Sequence, residues 1–196
     1  MSPRAPAMSP TDRRDALVTV TLQLLRRHGR DVTTRQIAEA AGVAEGTIFR
    51  VVDSKDELVD AAIARAFEPG DLVARIEEID PSLPLRDRLV LLASIFQQRF
   101  QATFSLMQRV GLVRPPDHLH DSEAAVAWRA RLEQLVTGVV AADAERLACP
   151  VAHFVHVFRL LCFAGSHQHI ADGHLLTPDQ IVDTVLTGHL LATERD

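Results

Sequence analysis

The sequence predicts an all-α protein in which a small three-helix helix-turn-helix domain precedes a larger helical bundle domain. Three observations lead there. Apolar residues recur at helical spacing along most of the 196 residues, and no segment alternates convincingly with the period of a half-buried strand. Helix-start patterns of the Ser/Thr-x-x-Glu/Gln kind stand at Thr33, Ser54 and Thr177, where paired side chains can satisfy orphan backbone donors. Glycine or proline then marks most of the places where a helical run stops.

Taken in order, residues 1–10 hold three prolines and no apolar run, which reads as a disordered tail and not as a signal peptide. From Thr11 to His28, Leu17, Val20, Leu24 and Leu25 fall on one side and arginines elsewhere, so an amphipathic helix is expected that Gly29 ends. Thr33 with Gln36 opens a second, short helix over Thr34–Ala41, and Gly42 supplies the left-handed corner that closes it. A third helix is expected over about Ala44–Val51. Ser54 with Glu57 starts a fourth, running to about Phe67 before Pro69 and Gly70. Beyond that break, helices are expected over Asp71–Ile79, Leu85–Gly111 with a split near Ala102, and Glu123–Leu147. Between them Arg114–Ser122, with Pro115 and Pro116, reads as a loop. Two more helices follow, from Pro150 to about Ala171 and from Thr177 to about Thr193, the last with a capping pair and a proline at its first position. The domains implied are residues 11–53 for the helix-turn-helix, 54–68 for a connecting helix and 69–196 for the remainder.

Composition is that of an ordinary globular chain, 47% apolar and 24% charged. Net charge is −5, yet it is unevenly spread. Residues 1–55 carry nine Arg or Lys against six Asp or Glu, a net of +3, while residues 56–196 carry twelve against twenty, a net of −8. A basic end on an acidic body confines the attraction for phosphate to one place. Two cysteines, Cys149 and Cys162, are too few for a disulfide framework and suit a reducing, cytoplasmic setting. No uninterrupted apolar run of about 18 residues suggests a membrane span.

Two short helices joined by a glycine corner are the minimal device for laying one helix in a DNA major groove. Ile37, Val43 and Ile48 supply the apolar seam, and Ala38 allows close approach. What remains on the second helix, Glu45, Gly46, Thr47, Phe49 and Arg50, is then the candidate DNA face. Gly46 inside a helix costs about 1 kcal/mol relative to alanine, which suggests a close approach of backbone to something.

The stretch from Thr33 to Arg50, TTRQIAEAAGVAEGTIFR, followed by Asp53-Ser54-Lys55-Asp56-Glu57-Leu58, resembles the DNA-binding domain of the TetR family of bacterial transcriptional regulators, over about residues 12–67. The resemblance implies that Thr47 and Arg50 contact DNA, that Lys55 reaches a phosphate, and that Thr33 and Thr34, with Arg35 beside them, meet the DNA backbone. A lysine at a helix N-terminus adds its charge where the dipole already favours anions. The chain also departs from the family pattern. Phe49 stands where tyrosine is usual, Val51-Val52 where a polar-aromatic pair is common, and Ala44 where a serine often caps. Glu45 could accept from cytosine N4 while repelling phosphates, so a different sequence preference is expected.

Beyond residue 67 the resemblance rests on length and helicity. It implies a ligand pocket between helices and a homodimer built as a four-helix bundle from the last two helices of each copy. Such a dimer would set two recognition helices about 34 Å apart on a palindromic operator. Phe96, Phe100, Phe104, Met107, Trp128, Leu132 and Phe158 are the pocket candidates, although an aromatic stripe at helical spacing is also what a core looks like. Val151, Phe154, Val155, Ile181, Val185 and His189 are the dimer candidates, with closure of the monomer's own core as the alternative. Eight of nine histidines lie beyond residue 117, but none shows firm zinc spacing, so no metal or other cofactor is expected. The function implied is a ligand-responsive repressor, partnered by double-stranded operator DNA, by itself and by a small-molecule effector, with no membrane contact. An enzyme reading lacks a nucleophile elbow, a phosphate loop or a repeated Glu-x-x-His pair. A non-specific DNA-binding protein would differ in its ratio of specific to non-specific affinity.

Overall fold

The computed structural model describes residues 9–189, apart from the side chain of His120. It is helical throughout, with no strand among the described residues. Of the tail expected over residues 1–10, residues 1–8 lie outside the described residues, as does the end of the last helix beyond His189, whereas Ser9 caps α1 and Pro10 is its first residue, a proline at the start of a helix and not part of a tail. The α-helices are α1 (Pro10–His28), α2 (Thr34–Ala41), α3 (Lys55–Phe67), α4 (Leu72–Glu77), α5 (Leu85–Arg109), α6 (Asp117–His120), α7 (Glu123–Ala141), α8 (Val151–Gly165) and α9 (Pro178–His189).

Two compact units divide these elements. One holds the described residues up to Glu68 together with Ser105–Leu119, and the other holds Pro69–Phe104 with the described residues from His120 onward. In the first unit α1 lies against α3 and α2, burying Leu17, Val18 and Leu25 with Ile37, Ile48, Leu58, Ala62 and Ile63. Leu106 and Val110 join this core, a role that nothing in their local sequence announces. Gly29 sits at φ 61°, and a Cβ there would stand 2.5 Å from the carbonyl oxygen of Arg109. Glycine is therefore needed for both its backbone angle and its lack of bulk.

The second unit is built around Leu89, Leu92, Phe96, Val136, Val140, Phe154, Phe158, Ile181 and Val185. α8 packs against α7 and α9, and α4 against α7. Arg88, only 5% exposed, lies within it and donates to the Val139 carbonyl oxygen at 2.6 Å and to the Asp143 carboxylate. Arg146 holds the other oxygen of Asp143 at 2.8 Å.

Several boundaries differ from those expected. α5 runs unbroken through Ala102. α7 stops at Ala141 and a single 3-10 turn, Ala144–Arg146, follows it before Pro150. α8 ends at Gly165, not near Ala171, and the chain turns through Asp172 and Gly173, both at positive φ. The reason is local: Gly165 faces Leu176, whose side chain would stand 3.0–3.1 Å from an added Cβ, and its carbonyl accepts from Leu176 N–H at 3.0 Å. The returning chain thus occupies the space the helix would need. The Arg114–Ser122 connection contains one helical turn, α6, started after the two prolines.

Candidate nucleic-acid interface

Thr33 begins the interface as the N-cap of α2. Its hydroxyl accepts from Gln36 N–H at 3.2 Å, and the Gln36 side-chain oxygen accepts from Thr33 N–H at 2.8 Å, the reciprocal pair the sequence led us to expect. At the far end Gly42 adopts φ 67°, ψ 32°. Val43 N–H reaches the Ala38 carbonyl at 3.0 Å and Gly42 N–H the Glu39 carbonyl at 3.1 Å, the two bonds of a Schellman closure. This corner turns the chain into the next segment.

That segment, Glu45–Arg50, is a 3-10 helix and not the α-helix expected over Ala44–Val51. Ala44 offers no side-chain cap, and a tighter i→i+3 pattern reduces the number of unmatched donors in so short a helix. Ile48 is fully buried against Ile37 and anchors it, while Val43 is half-buried. With Ile48 inward, Glu45, Gly46, Phe49 and Arg50 are exposed and Thr47 is half-buried. These five and exposed Arg35 lie on two elements, the 3-10 segment and α2, that pack against each other. Phe49 is 52% exposed, an unusual setting for a phenyl ring. The guanidinium groups of Arg35 and Arg50 make no hydrogen bond or ion pair among the described residues. A Cβ at Gly46 would meet nothing within 4 Å, so no described residue makes the close approach that its presence suggests.

Two expected contacts are modified. The Thr34 hydroxyl donates to the Glu45 carboxylate, tying the start of α2 to the first turn of the 3-10 segment. One oxygen of Glu45 is thereby engaged and its freedom to reach a base edge is reduced. Lys55, half-buried at the start of α3, donates from Nζ to the Val32 carbonyl oxygen at 3.2 Å. An ammonium has three protons, so a phosphate can still be met by the others. Ser54 caps α3 by accepting from Glu57 N–H at 3.1 Å, but Glu57 reaches Asp53 N–H at 2.7 Å and not that of Ser54. The Asp53 N–H and then Arg14 hold the Glu57 carboxyl below its usual range.

The other candidates lie in the second unit or at the edge of the first. Phe96 and Phe158 are buried within its core, with Phe100, Trp128 and Leu132 packed against them in part. Phe104 stacks on Phe100 at 6.0 Å and meets the edges of Phe163 and His167 at 5.1 Å and 4.5 Å. Met107 falls in Ser105–Leu119 and so belongs to the first unit. Of the residues proposed for a dimer face, Phe154, Val155, Ile181 and Val185 point into the core of their own unit, and Val151 and His189 are half-buried. What α8 turns outward instead is a stripe of His153, His156, Leu160 and Phe163, of which Leu160 is 55% exposed. Sequence periodicity finds the apolar stripes of a helix but not which of two stripes the monomer uses. The rings of His153 and His189 are 5.7 Å apart, those of His167 and His169 6.0 Å. No group of three metal-binding side chains occurs among the described residues. Burial raises the thiol pKa of Cys149 and, much further, that of Cys162, which keeps both protonated. No helix among the described residues is long and apolar enough to cross a membrane.

Residues 17–62 match the N-terminal domain model of the bacterial regulatory proteins of the tetR family. The chain is 42% identical over 59 residues to YvkB of Bacillus subtilis, described as an uncharacterized HTH-type transcriptional regulator, and that match spans 30% of each protein. Two solved structures resemble the fold over most of its length. A tetR-family transcriptional regulator from Streptomyces coelicolor aligns at TM-score 0.58 and 21% identity, covering 92% of this chain and 80% of the other. A TetR-family regulator from Mesorhizobium loti aligns at TM-score 0.64 and 12% identity, covering 94% and 100%.

Proposed function

From the match of residues 17–62 to the tetR-family model we propose that the chain is a TetR-family, sequence-specific DNA-binding regulator, acting as a homodimeric, ligand-responsive repressor on a palindromic operator in the cytoplasm. One observation carries the reading. The outer face of Glu45–Arg50 presents an unpaired guanidinium, an exposed phenyl ring and a bare glycine backbone, while Ile48 on its inner face is fully buried. That set offers a charge for phosphate or guanine, a ring for a thymine methyl and room for close approach. The outward stripe of α8 around Leu160 supports a second copy of the chain as partner. A ligand that favours one arrangement of the dimer over another would alter operator affinity, and a coupling of about 1–3 kcal/mol is enough for a useful response.

Selection of bound duplexes from random oligonucleotides, with full-length protein at moderate salt, tests this. The expected product is a palindrome with half-sites about one helical turn apart. No enrichment over scrambled competitor would sink the proposal. On the selected site, Arg50→Ala is expected to weaken binding by about 1–3 kcal/mol with the melting temperature unchanged. Lys55→Ala is the less clean companion, since it also removes the tie to Val32.

A further inference from the structure

The second unit contains a cleft of about 260 Å³ whose lining includes none of the aromatic residues that the sequence singles out for ligand binding. Ile76 of α4, Ile79 and Pro81 of the loop after it, and Leu135 and Val139 of α7 form its apolar walls. Two features distinguish it from a packing defect. The first is Arg88. Its two terminal nitrogens are engaged by Val139 and Asp143, but its Nε–H is buried with no acceptor among the described residues. Buried polar groups are paired in nearly all cases, so an orphan at the wall of a cleft asks for its partner. The second is Gly138, in the interior of α7 and lining the cleft, where an added Cβ would meet nothing within 4 Å. Glycine is unfavourable inside a helix, and no tight contact requires it here. Gly138 is exposed, and its lack of a side chain keeps the wall of the cleft open at that point.

We propose that this cleft is a binding site for a small, largely apolar and uncharged molecule carrying a carbonyl-type hydrogen-bond acceptor, which pairs with Arg88 Nε. Volume limits the ligand, since about 260 Å³ falls just below the range of drug-sized sites. Charge sets its class. The Arg88 cation is already matched by the Asp143 carboxylate, and Glu77 stands at the cleft, paired with Arg131 at 2.9 Å. An anionic ligand would bring a further negative charge beside Asp143 and Glu77 with no unpaired cation among the described lining residues to match it, whereas a carbonyl oxygen needs only the one N–H. Arg88 Nε is covered by its neighbours in the free chain, so pairing with the acceptor requires the guanidinium to shift. As an effector site the cleft rests on the regulator reading; as a binding site it stands by itself.

Calorimetric and thermal-melt titrations of the full chain, without DNA, decide the matter with three probes: γ-octalactone, octanoate and propylbenzene. Saturable binding of the lactone with a raised melting temperature is expected, and at least tenfold weaker binding of the other two. Gly138→Leu places a side chain in the open volume and is expected to fold, melt no lower than the parent and lose lactone binding. Gly138→Ala, which fills less and fits the same open space, is expected to weaken binding severalfold, so the inference is testable even if the larger variant does not fold. Absence of saturable lactone binding, octanoate binding as tightly as the lactone, or lactone binding unaffected by filling at Gly138 would each overturn it. Because no DNA is present, such a failure leaves the operator selection untouched. Failure of the selection, in turn, leaves the titration result standing.

Discussion

At the scale of single residues, glycine carries opposite meanings in this chain. Gly29 and Gly42 are required by the protein itself, through positive φ at both and through the Arg109 carbonyl at the first. Gly46 has ordinary backbone angles and open space around it, so nothing internal demands it. Gly46→Ala is therefore expected to leave the fold intact or stabilise it by up to about 1 kcal/mol, and to weaken operator binding if the bare backbone is there to approach DNA. Melting curves and binding titrations on one preparation would show the two effects moving in opposite directions. Unchanged DNA affinity would assign Gly46 no role in contact. Glu45 shows the converse case. The residue is exposed as the sequence suggests, but its hydrogen bond from Thr34 makes it a tether between helices as much as a reader of bases.

At the scale of elements, caps determine where helices start, while a helix stops either at a local glycine corner, as α2 does at Gly42, or against a distant neighbour, as α8 does at Leu176. Thr33 and Thr177 both form complete reciprocal caps, Thr177 N–H giving 2.8 Å to Gln180 and Gln180 N–H returning 3.2 Å to the hydroxyl. Thr33→Ala is expected to cost about 1 kcal/mol, measurable as a lowered denaturant midpoint with an unchanged slope. A loss too small to measure would mean that packing of Ile37 and Ala38 alone holds α2. Helix ends were harder to read. α8 stops at Gly165 because Leu176 returns against it, a contact eleven residues distant in sequence that periodicity cannot register. The segment Glu45–Arg50 is likewise too short to declare its own geometry, and its 3-10 form follows from the missing cap at Ala44 and the anchoring of Ile48.

At the scale of the whole molecule, the second unit is pinned by the largely buried pair of Arg88 and Asp143, with the more exposed Arg146 on the other carboxylate oxygen. Desolvation pushes the Asp143 carboxyl up, but the hydrogen bonds from Arg146 and Arg88 outweigh it and hold the pKa below its usual value. The carboxylate therefore contributes stability that is complete above the ordinary aspartate pKa of about 3.9 and is lost as pH falls through the lower folded-state value. Asp143→Asn is expected to destabilise the protein by about 3–5 kcal/mol at neutral pH, because Arg88 is left buried and uncompensated. The gap from the parent should narrow as pH drops toward 3; a constant gap would show that Asp143 acts through shape and not charge. For the assembly, Leu160→Glu is expected to shift a dimer toward monomer in sedimentation with helicity retained, since that side chain is 55% exposed in the single chain. An unaltered dimer would place the interface elsewhere.

The sequence by itself determined the helical class, the order of the main helices, and the capped starts at Thr33 and Ser54 with the corner at Gly42, because each rests on local chemistry: caps, a left-handed glycine, and apolar spacing within a turn or two. The same locality made the family match over residues 17–62 legible. Only the tertiary structure decided that Leu106 and Val110 complete the core of the first unit, that Phe154, Val155, Ile181 and Val185 face inward while Leu160 faces out, and that Arg88 meets Asp143 beside a cleft. Those outcomes depend on which surfaces meet across long separations in the chain. A helix with two apolar stripes carries no internal mark of which one its neighbours will cover.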